Sequence, residues 1–366
     1  MKRIVFTVFV LTLVMLFAVV PVNAHAEEYS DEQTELNEEV DNILSDYDIG
    51  YGMGDISGLT FSELAARVKD SMAERLAAPI KMLGTLLVVT VFTALLRSTA
   101  EGFFSQNSLS GIYNMICVMT AVTVITPQLF TVYERALSTI EIVSGFLLVF
   151  VPVFAGIAVV SGGFTTGGIY NVMTLAASEA IVGVSQQFLI PVVSITTVLA
   201  VSGSVFPNAS LDSIGRLMKK GITWSMTVIM TLFTGFVTLK CSIAGKMDGV
   251  TTKAAKYVIS GFIPIVGGAV SDAYATVRSS FDVICCTAGA AGVIAIILLM
   301  LPPILEILVF RGVMWIGTAA AEVLSADPIA KLMKGIDSGL AIAQSVLICY
   351  LLMFVLCTAI LMQSIS

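Results

Sequence analysis

The sequence predicts an all-α polytopic membrane protein, and three observations support this prediction. The chain of 366 residues is 57% hydrophobic and 12% charged, whereas soluble domains carry about a quarter charged residues. Several apolar runs of about 18 or more residues follow one another, which is the pattern of transmembrane helices. Polar residues are concentrated in one N-terminal region before these runs. We therefore expect a short polar region followed by a bundle of membrane helices.

The first 26 residues have the layout of a secretory signal peptide. A basic start at Lys2-Arg3 precedes an apolar core at 4–20 and a small-x-small site that ends at Ala26. We predict cleavage after Ala26, and an uncleaved first span is the alternative. Cleavage would remove His25, the only histidine, which is the side-chain type of most general bases and metal ligands. The mature protein would then contain no Ser-His catalytic pair and no His-ligated zinc or haem.

Residues 27–78 form an acidic region that we expect on the extracytoplasmic side. From Glu27 to Asp55 there are eleven acidic residues and no Lys or Arg, and basic segments are the ones that stay cytoplasmic. Apolar residues then recur at helical spacing from Phe61 to Leu76. This spacing predicts an amphipathic helix that lies on the membrane surface or meets a partner. A solvated lead-in to the first span is the alternative.

Residues 79–366 form the predicted multi-span membrane domain. About 20 residues cross the hydrocarbon, so the apolar run at 169–205 is too long for one simple span, and Pro191 is the candidate point of division. The run at 257–271 is short and interrupted. We expect seven to nine membrane segments. The candidate spans are 80–97, 112–130, 142–160, 169–205, 221–241, 257–271, 283–301, 303–324 and 338–363.

Two parts of this domain resemble each other. The stretches "IVSGFLLVFVPVFAG" (142–156) and "VISGFIPIVGG" (258–268) share a β-branched-Ser-Gly-Phe start followed by proline and glycine. A further proline, Pro191 or Pro302, follows about 38 residues later in each case. These matches predict an internal duplication of 111–206 and 221–324, an architecture known from transporters and channels. Chance recurrence in a chain so rich in glycine, proline and apolar residues is the alternative.

The segment "GFIPIVGGAVSDAY" (261–274) interrupts an apolar run with residues that are costly in hydrocarbon. Proline removes a backbone donor and clashes with the preceding turn, and paired glycines permit a tight turn. Irregular backbone persists at membrane depth only where protein buries it or water reaches it. We therefore predict a re-entrant or broken helix that lines a polar path, and the alternative is a kinked helix leading into an interfacial loop. The candidate pore-lining or gating residues here are Pro264, Gly267, Gly268, Ser271 and Asp272.

Few ionisable residues lie within the other apolar runs. They are Glu179, Glu306, Arg311 and Glu322, and such groups usually face the bundle interior or a cavity. Glu179 is the most deeply placed acid and is our first candidate for a pore-lining role. For Arg311 and Glu322, near the ends of spans, side chains that reach the interface are the better interpretation.

The chain contains no pattern that is typical of an enzyme. The Gly-rich stretch "SGGFTTGG" (161–168) lacks the lysine and the strand-loop-helix context of a phosphate loop, and we interpret it as a flexible connection between spans. The six cysteines lie in or beside apolar runs without a C-x-x-C pair, so we interpret them as buried apolar residues. We predict no catalytic residues, no cofactor, no metal and no nucleic-acid partner.

The segment "KYVISGFIPIVGGAVSDAYATV" (256–277) resembles the characteristic segment of the stage III sporulation protein AE family of endospore-forming bacteria. The most specific match is "ISGFIPIVGG" followed two residues later by "SD" (259–272). The resemblance extends over nearly the whole chain, including the signal peptide, the acidic region and the multi-span body.

This resemblance implies a function that composition alone does not supply. Members of this family sit in the mother-cell membrane around the forespore and belong to a complex that forms a channel or secretion-like conduit to the forespore. The implied partners are other proteins of the stage III sporulation A operon, including a secretion-type ATPase and ring-forming proteins, together with a forespore-membrane protein and membrane lipid. The implied role supports forespore development and late sigma-factor activity. The resemblance does not decide whether the chain forms a homo-oligomer. The alternative function is that of an autonomous secondary transporter or permease.

Overall fold

The computed structural model describes residues 77–95, 107–205, 211–262 and 267–365. These residues are helical apart from short turns at 161–163 and 324–326. The elements in chain order are α1 (Ala77–Leu95), α2 (Asn107–Val160), α3 (Phe164–Val184), a π-helical turn (Ser185–Leu189), α4 (Ile190–Val205), α5 (Leu211–Phe262), α6 (Gly267–Val323) and α7 (Asp327–Ile365).

The all-helical fold class is confirmed for the described residues. Six helical segments among them, counting α3 to α4 as one, are long and apolar enough to cross a membrane. The count of seven to nine segments stays a prediction. Residues 1–76 lie outside the described residues, so the signal peptide, its cleavage at Ala26 and the amphipathic helix stay predictions too.

Two pairs of predicted spans lie on single continuous helices. The spans 112–130 and 142–160 both belong to α2, because the polar stretch "TVYERALSTIE" between them contains no glycine or proline to end a helix. The spans 283–301 and 303–324 both belong to α6. Buried Met300 and Ile304 flank the Pro302-Pro303 pair, so packing on both sides holds the two parts of that helix together.

The chain passes Pro191 through a π-helical turn rather than a break. Proline cannot bond to the carbonyl one turn earlier, and its ring clashes with that carbonyl. The wider turn at Ser185–Leu189, just before Pro191, accommodates this misfit. The segment 169–205 therefore stays within one helical run, Phe164–Val205.

The predicted flexible connection at 161–168 is wrong in the structure. It is a three-residue turn after which α3 begins at Phe164. The Gly163 N–H donates to the Ala158 carbonyl at 2.9 Å, and Gly162 has a φ of +95°, a left-handed conformation that glycine adopts without a Cβ penalty. These bonds complete the C-terminus of α2 and turn the chain back on itself.

The described helices end on either side of the interrupted segment. Helix α5 ends at Phe262 and α6 begins at Gly267, and Pro264 falls in 263–266, outside the described residues. Its counterpart in the proposed repeat, Pro152, lies inside continuous α2. Each proposed half does contain two long helical runs, but a pair of long helices is a common arrangement. The duplication therefore stays a prediction.

The core between α2, α3, α6 and α7 is built around aromatic side chains. Phe146, Phe150 and Phe154 are fully buried on α2, and successive rings stack with centroids 5.3 Å apart. Tyr170 of α3 packs edge-on against Phe154, and Phe354 of α7 packs edge-on against Phe150. This core fixes the heights of the helices relative to one another.

Candidate functional site

A buried ion pair joins the middle of α2 to the middle of α6. The Arg135 guanidinium donates to the Glu306 carboxylate at 2.6 Å. The Glu306 side chain is only 3% exposed, whereas that of Arg135 is 49% exposed. An acid so deeply buried in an apolar bundle needs a cation beside it.

A second set of charges at the same part of the bundle centres on Asp337 of α7. Its carboxylate accepts from Arg311 Nε of α6 at 2.8 Å, and Lys219 Nζ of α5 lies 3.6 Å away. Arg311 also donates to Gln344 and lies over the ring of Trp315 at 5.5 Å. Asp337 thus ties three helices together. We call Arg135, Lys219, Glu306, Arg311 and Asp337 the charged belt.

A small polar niche borders the charged belt. The Tyr133 hydroxyl is buried and has no hydrogen-bond partner among the described residues. A Cβ added at Gly339 would lie 3.1 Å from that hydroxyl and 2.9 Å from the Thr196 hydroxyl. Because Gly339 has no side chain, α7 can approach α2 and α4 closely at this point. The niche lies where these three helices meet.

A second polar cluster lies at the α2–α3 turn. Asp248 of α5 is 5% exposed, and its carboxylate accepts hydrogen bonds from the backbone N–H groups of Thr165 and Thr166, both at 2.9 Å. The Thr166 hydroxyl donates to it at 2.7 Å. The first N–H groups of a helix have no partner within that helix, so Asp248 caps α3 from a different helix. Its charge also suits the positive end of the helix dipole.

The first part of α6 and the end of α7 meet this same end of the bundle. A Cβ added at Gly162 would lie 3.0 Å from the Arg278 guanidinium carbon, and one added at Gly245 would lie 3.0 Å from the Ser364 carbonyl oxygen. We call Gly162, Asp248, Arg278 and Ser364 the turn cluster. It contains one position from each of α5, α6 and α7 and the turn after α2.

The charged belt and the turn cluster are separated by similar lengths of helix on four elements. The intervals are 27 residues on α2 (135 to 162), 29 on α5 (219 to 248), 28 on α6 (278 to 306) and 27 on α7 (337 to 364). At about 1.5 Å per residue each corresponds to about 40 Å. The two polar layers therefore lie at matching heights around the bundle.

Few charged residues of helices α2 to α7 lie between these layers. Lys220, Lys240 and Lys246 of α5 and Asp282 of α6 lie near one layer or the other, whereas Glu141 on α2 and Glu179 on α3 lie further in, and both of these side chains are exposed. Glu141 accepts a hydrogen bond from Gln186 Nε2 at 3.0 Å. Glu179 follows buried Ser178, whose hydroxyl bonds that of Tyr350 in the core.

Comparisons with known proteins identify the family. The family model described as stage III sporulation protein AE matches residues 51–364. This chain belongs to the stage III sporulation protein AE family. It is also similar to the stage III sporulation protein AE of Bacillus subtilis (strain 168), with 22% identity over 276 residues that cover 75% of this chain and 69% of the relative. No solved structure matches the chain.

The structure locates the sequence-predicted site residues of this family member only in part. Gly267 and Gly268 are the first residues of α6, and Ser271 and Asp272 lie in the helical turns that follow, but their side-chain environment lies outside what the structure describes. Glu179 lies on the opposite side of the turn cluster from them. The two sets are roughly 35 Å apart along the bundle axis, by the rise per residue. The structure does not bring them together.

Several functional candidates of this family member were missed by sequence reasoning. Arg135, Lys219, Asp248 and Asp337 follow or precede apolar runs by a few residues, where loops and interfacial residues are equally common. Their importance comes from partners on other helices. Glu306 and Arg311 were found from their position within apolar runs, and the structure adds the partner of Arg311, Asp337 of α7.

The ligand chemistry of the described residues is limited. Within them, no group of three or more His, Cys, Asp or Glu side chains could hold a metal ion. All six cysteines are described and are free thiols, and Cys286 is the exposed one. The site is an arrangement of ion pairs, hydroxyls and a helix cap that positions helices relative to one another.

Proposed function

We propose that this chain is a non-enzymatic integral membrane component of the sporulation channel or secretion-like complex that links mother cell and forespore. The observation that carries this proposal is the family match over residues 51–364. It is supported by the six helical segments, among the described residues, that are long and apolar enough to cross a membrane. In this role the chain supports forespore development and late sigma-factor activity.

The spacing of the two polar layers supports a location for the bilayer. About 40 Å separates the charged belt from the turn cluster, and a bilayer with its headgroups is about 40–45 Å thick. The central parts of this interval on α5, α6 and α7, at 221–239, 283–305 and 338–363, include no Asp, Glu, Lys or Arg, and Lys220, Lys240, Lys246 and Asp282 lie towards its edges. We assign the bilayer with its headgroups to this interval, with the hydrocarbon in its central 30 Å or so, and call the interval the apolar band.

The location and partners follow from the same proposal. The chain lies in the mother-cell membrane around the forespore with its N-terminus extracytoplasmic, where the acidic region 27–78 can meet a forespore-membrane partner. Energy for transport comes from the secretion-type ATPase, since the sequence has no nucleotide motif. Ring-forming proteins of the same operon complete the conduit.

Loss of the gene tests this function. In the sporulating bacterium that carries it, we expect deletion to block spore formation after engulfment and tagged protein to co-purify with the ATPase and ring-forming proteins. Normal spore yield after deletion would refute the proposal. So would ion- or proton-coupled uptake by the purified chain alone in liposomes, which is the behaviour of an autonomous transporter.

The interrupted segment is the proposed gate of this component. Pro264, Gly267, Gly268, Ser271 and Asp272 lie where α5 gives way to α6. By the rise per residue, those on α6 lie about 10–15 Å beyond the level of Arg278, outside the apolar band, so the proposed gate is at the mouth of the conduit. We expect Pro264→Ala combined with Gly267→Leu to lower spore yield without preventing membrane insertion, as measured by heat-resistant colony counts and membrane fractionation. Wild-type spore counts from the double variant would contradict a gating role.

A further inference from the structure

One side of α2 carries polar side chains at membrane depth that face outward. Glu134, Ser138 and Glu141 are all exposed, and their spacing of four and then three residues places them on one face of the helix. Exposed Gly145 continues this face, with nothing within 4 Å of a Cβ built there. The remainder of α2 is strongly apolar.

Helix α3 extends the same surface. Glu179 and Gln186 are exposed and seven residues apart, about two helical turns. Gln186 donates to Glu141 across the two helices, so the two polar faces are contiguous. Gln186 and exposed Gln187 belong to the π-helical turn, and such turns occur frequently at functional sites. We call Ser138, Glu141, Gly145, Glu179, Gln186 and Gln187 the acidic face.

The acidic face extends from the edge of the apolar band at the charged belt, where Ser138, Gln186 and Gln187 lie, to Gly145 and Glu179 about 15 Å further in. Glu141 is 21 residues from Gly162 and 6 from Arg135, and Glu179 is 17 residues from Gly162. By helical rise these carboxylates lie roughly 25–30 Å from the level of the turn cluster and about 10 Å or more from the level of the charged belt. Glu179, about 15 Å from the level of the charged belt, is too deep for its short side chain to reach the headgroups, whereas Glu141 lies only a few Å inside the hydrocarbon.

The opposite character of α5 shows what a lipid-facing surface of this bundle looks like. Its exposed residues within the band are large and apolar, including Ile229 (58% exposed), Leu232 (68%) and Phe236 (46%). The acidic face instead combines carboxylates and amides with glycine. The two surfaces therefore meet different surroundings.

Neither lipid nor a second copy of the chain satisfies the acidic face. A charged side chain costs several kcal/mol in hydrocarbon. A second copy packed against it would have to supply a base at the depth of Glu141 and Glu179, but on α5 the bases between the layers, Lys220, Lys240 and Lys246, lie next to the charged belt or within about 12 Å of the turn cluster, and the central stretch 221–239 has none. Water satisfies both carboxylates and the amides and needs no partner charge.

We propose that the acidic face lines a water-filled path through the membrane and that this path favours cations over anions. The proposal rests on the proposed function and adds to it which surface of the chain forms the wall of the conduit. The charge of Glu141 and Glu179 raises the local concentration of cations. The nearest base of the charged belt, Arg135, is held by Glu306.

Cysteine accessibility in intact membranes tests the water-filled path. The background is the full chain with Cys286→Ser, because Cys286 is the exposed native thiol. Single variants Glu141→Cys, Gly145→Cys and Glu179→Cys probe the face, and Leu232→Cys on α5 is the control, at a depth close to that of Gly145 and Glu179. We expect a membrane-impermeant methanethiosulfonate to modify the three face positions in membranes and Leu232→Cys only after detergent is added.

The charge of the reagent tests the cation preference. At Gly145→Cys we expect a trimethylammonium reagent to react roughly tenfold faster than a sulfonate reagent, relative to their rates with a free thiol. Glu179→Gln in the same variant should reduce this ratio. Equal or inverted rates would overturn the cation preference.

Two labelling results would overturn the path itself. One is protection of all three face positions in membranes, which means that lipid or protein covers them. The other is modification of Leu232→Cys at the rate of the face positions, which means that the assigned band is not in hydrocarbon. Neither result depends on spore formation, so failure of this inference is distinguishable from failure of the proposed function.

Discussion

Gly292 on α6 is a residue where backbone and aromatic core approach too closely for any side chain. A Cβ built at this position would overlap the Phe150 ring, which is fully buried and held between Phe146 and Phe154. Small residues of this kind let membrane helices pack closely, which is a main source of their association energy. The Phe150 ring cannot yield because its neighbours stack on both sides.

The substitution Gly292→Ala should therefore destabilise the protein by about 1–3 kcal/mol, the usual cost of overpacking a tight core. Gly312→Ala is the matched control on the same helix, with nothing within 4 Å of its Cβ, and should be neutral or slightly stabilising because alanine is the better helix former. Thermal unfolding of the two variants in the same detergent measures the difference. Equal midpoints would show that α6 can shift away from Phe150.

At the scale of elements, composition predicted the existence of the helices better than their limits. Apolar runs identify buried or lipid-facing helix because hydrocarbon leaves backbone groups no other partner. The same runs do not show where a helix continues through a polar stretch, as α2 does at 131–141, or through prolines, as α6 does at Pro302-Pro303. Those outcomes depend on packing by other helices.

The contact between Asp248 and the first N–H groups of α3 could not be predicted from the sequence near α3. Gly163 at the N-cap position has no side chain to satisfy the free N–H groups. The sequence therefore suggested a loose Gly-rich connection. Asp248, 83 positions after Thr165 in the chain, supplies the missing acceptor. A local sequence motif contains no information about a cap that arrives from another helix.

At the scale of the whole molecule, the charged belt connects α2, α5, α6 and α7 through charges that no single segment predicts. Glu306 stood out because it interrupts an apolar run, but its partner Arg135 is 171 positions away. Buried ion pairs are an inefficient way to gain stability, since desolvation offsets most of the attraction. Their presence in an otherwise apolar bundle therefore favours a role beyond holding the fold.

The variant Arg135→Gln should destabilise the protein by about 1–3 kcal/mol, because it removes a cation that pairs with the buried Glu306 carboxylate. Lys334→Gln is the control, since the Lys334–Glu322 pair is about half exposed on both sides and such pairs contribute about 1 kcal/mol or less. Unfolding midpoints in detergent compare the two variants. An equal decrease of the unfolding midpoint in both variants would contradict the burial of the Arg135–Glu306 pair.

The double variant Arg135→Met with Glu306→Met separates stability from function. Replacing both charges with apolar side chains of similar length removes the buried carboxylate together with its cation, so the unfolding midpoint should return close to that of the wild type. If the charges of the belt serve the conduit, the same stable protein will still fail to restore spore formation in a host that lacks the gene. Wild-type spore yield from the double variant would show that this ion pair serves only packing and that apolar side chains can replace it. The acidic face between the two polar layers would then be the stronger candidate for function.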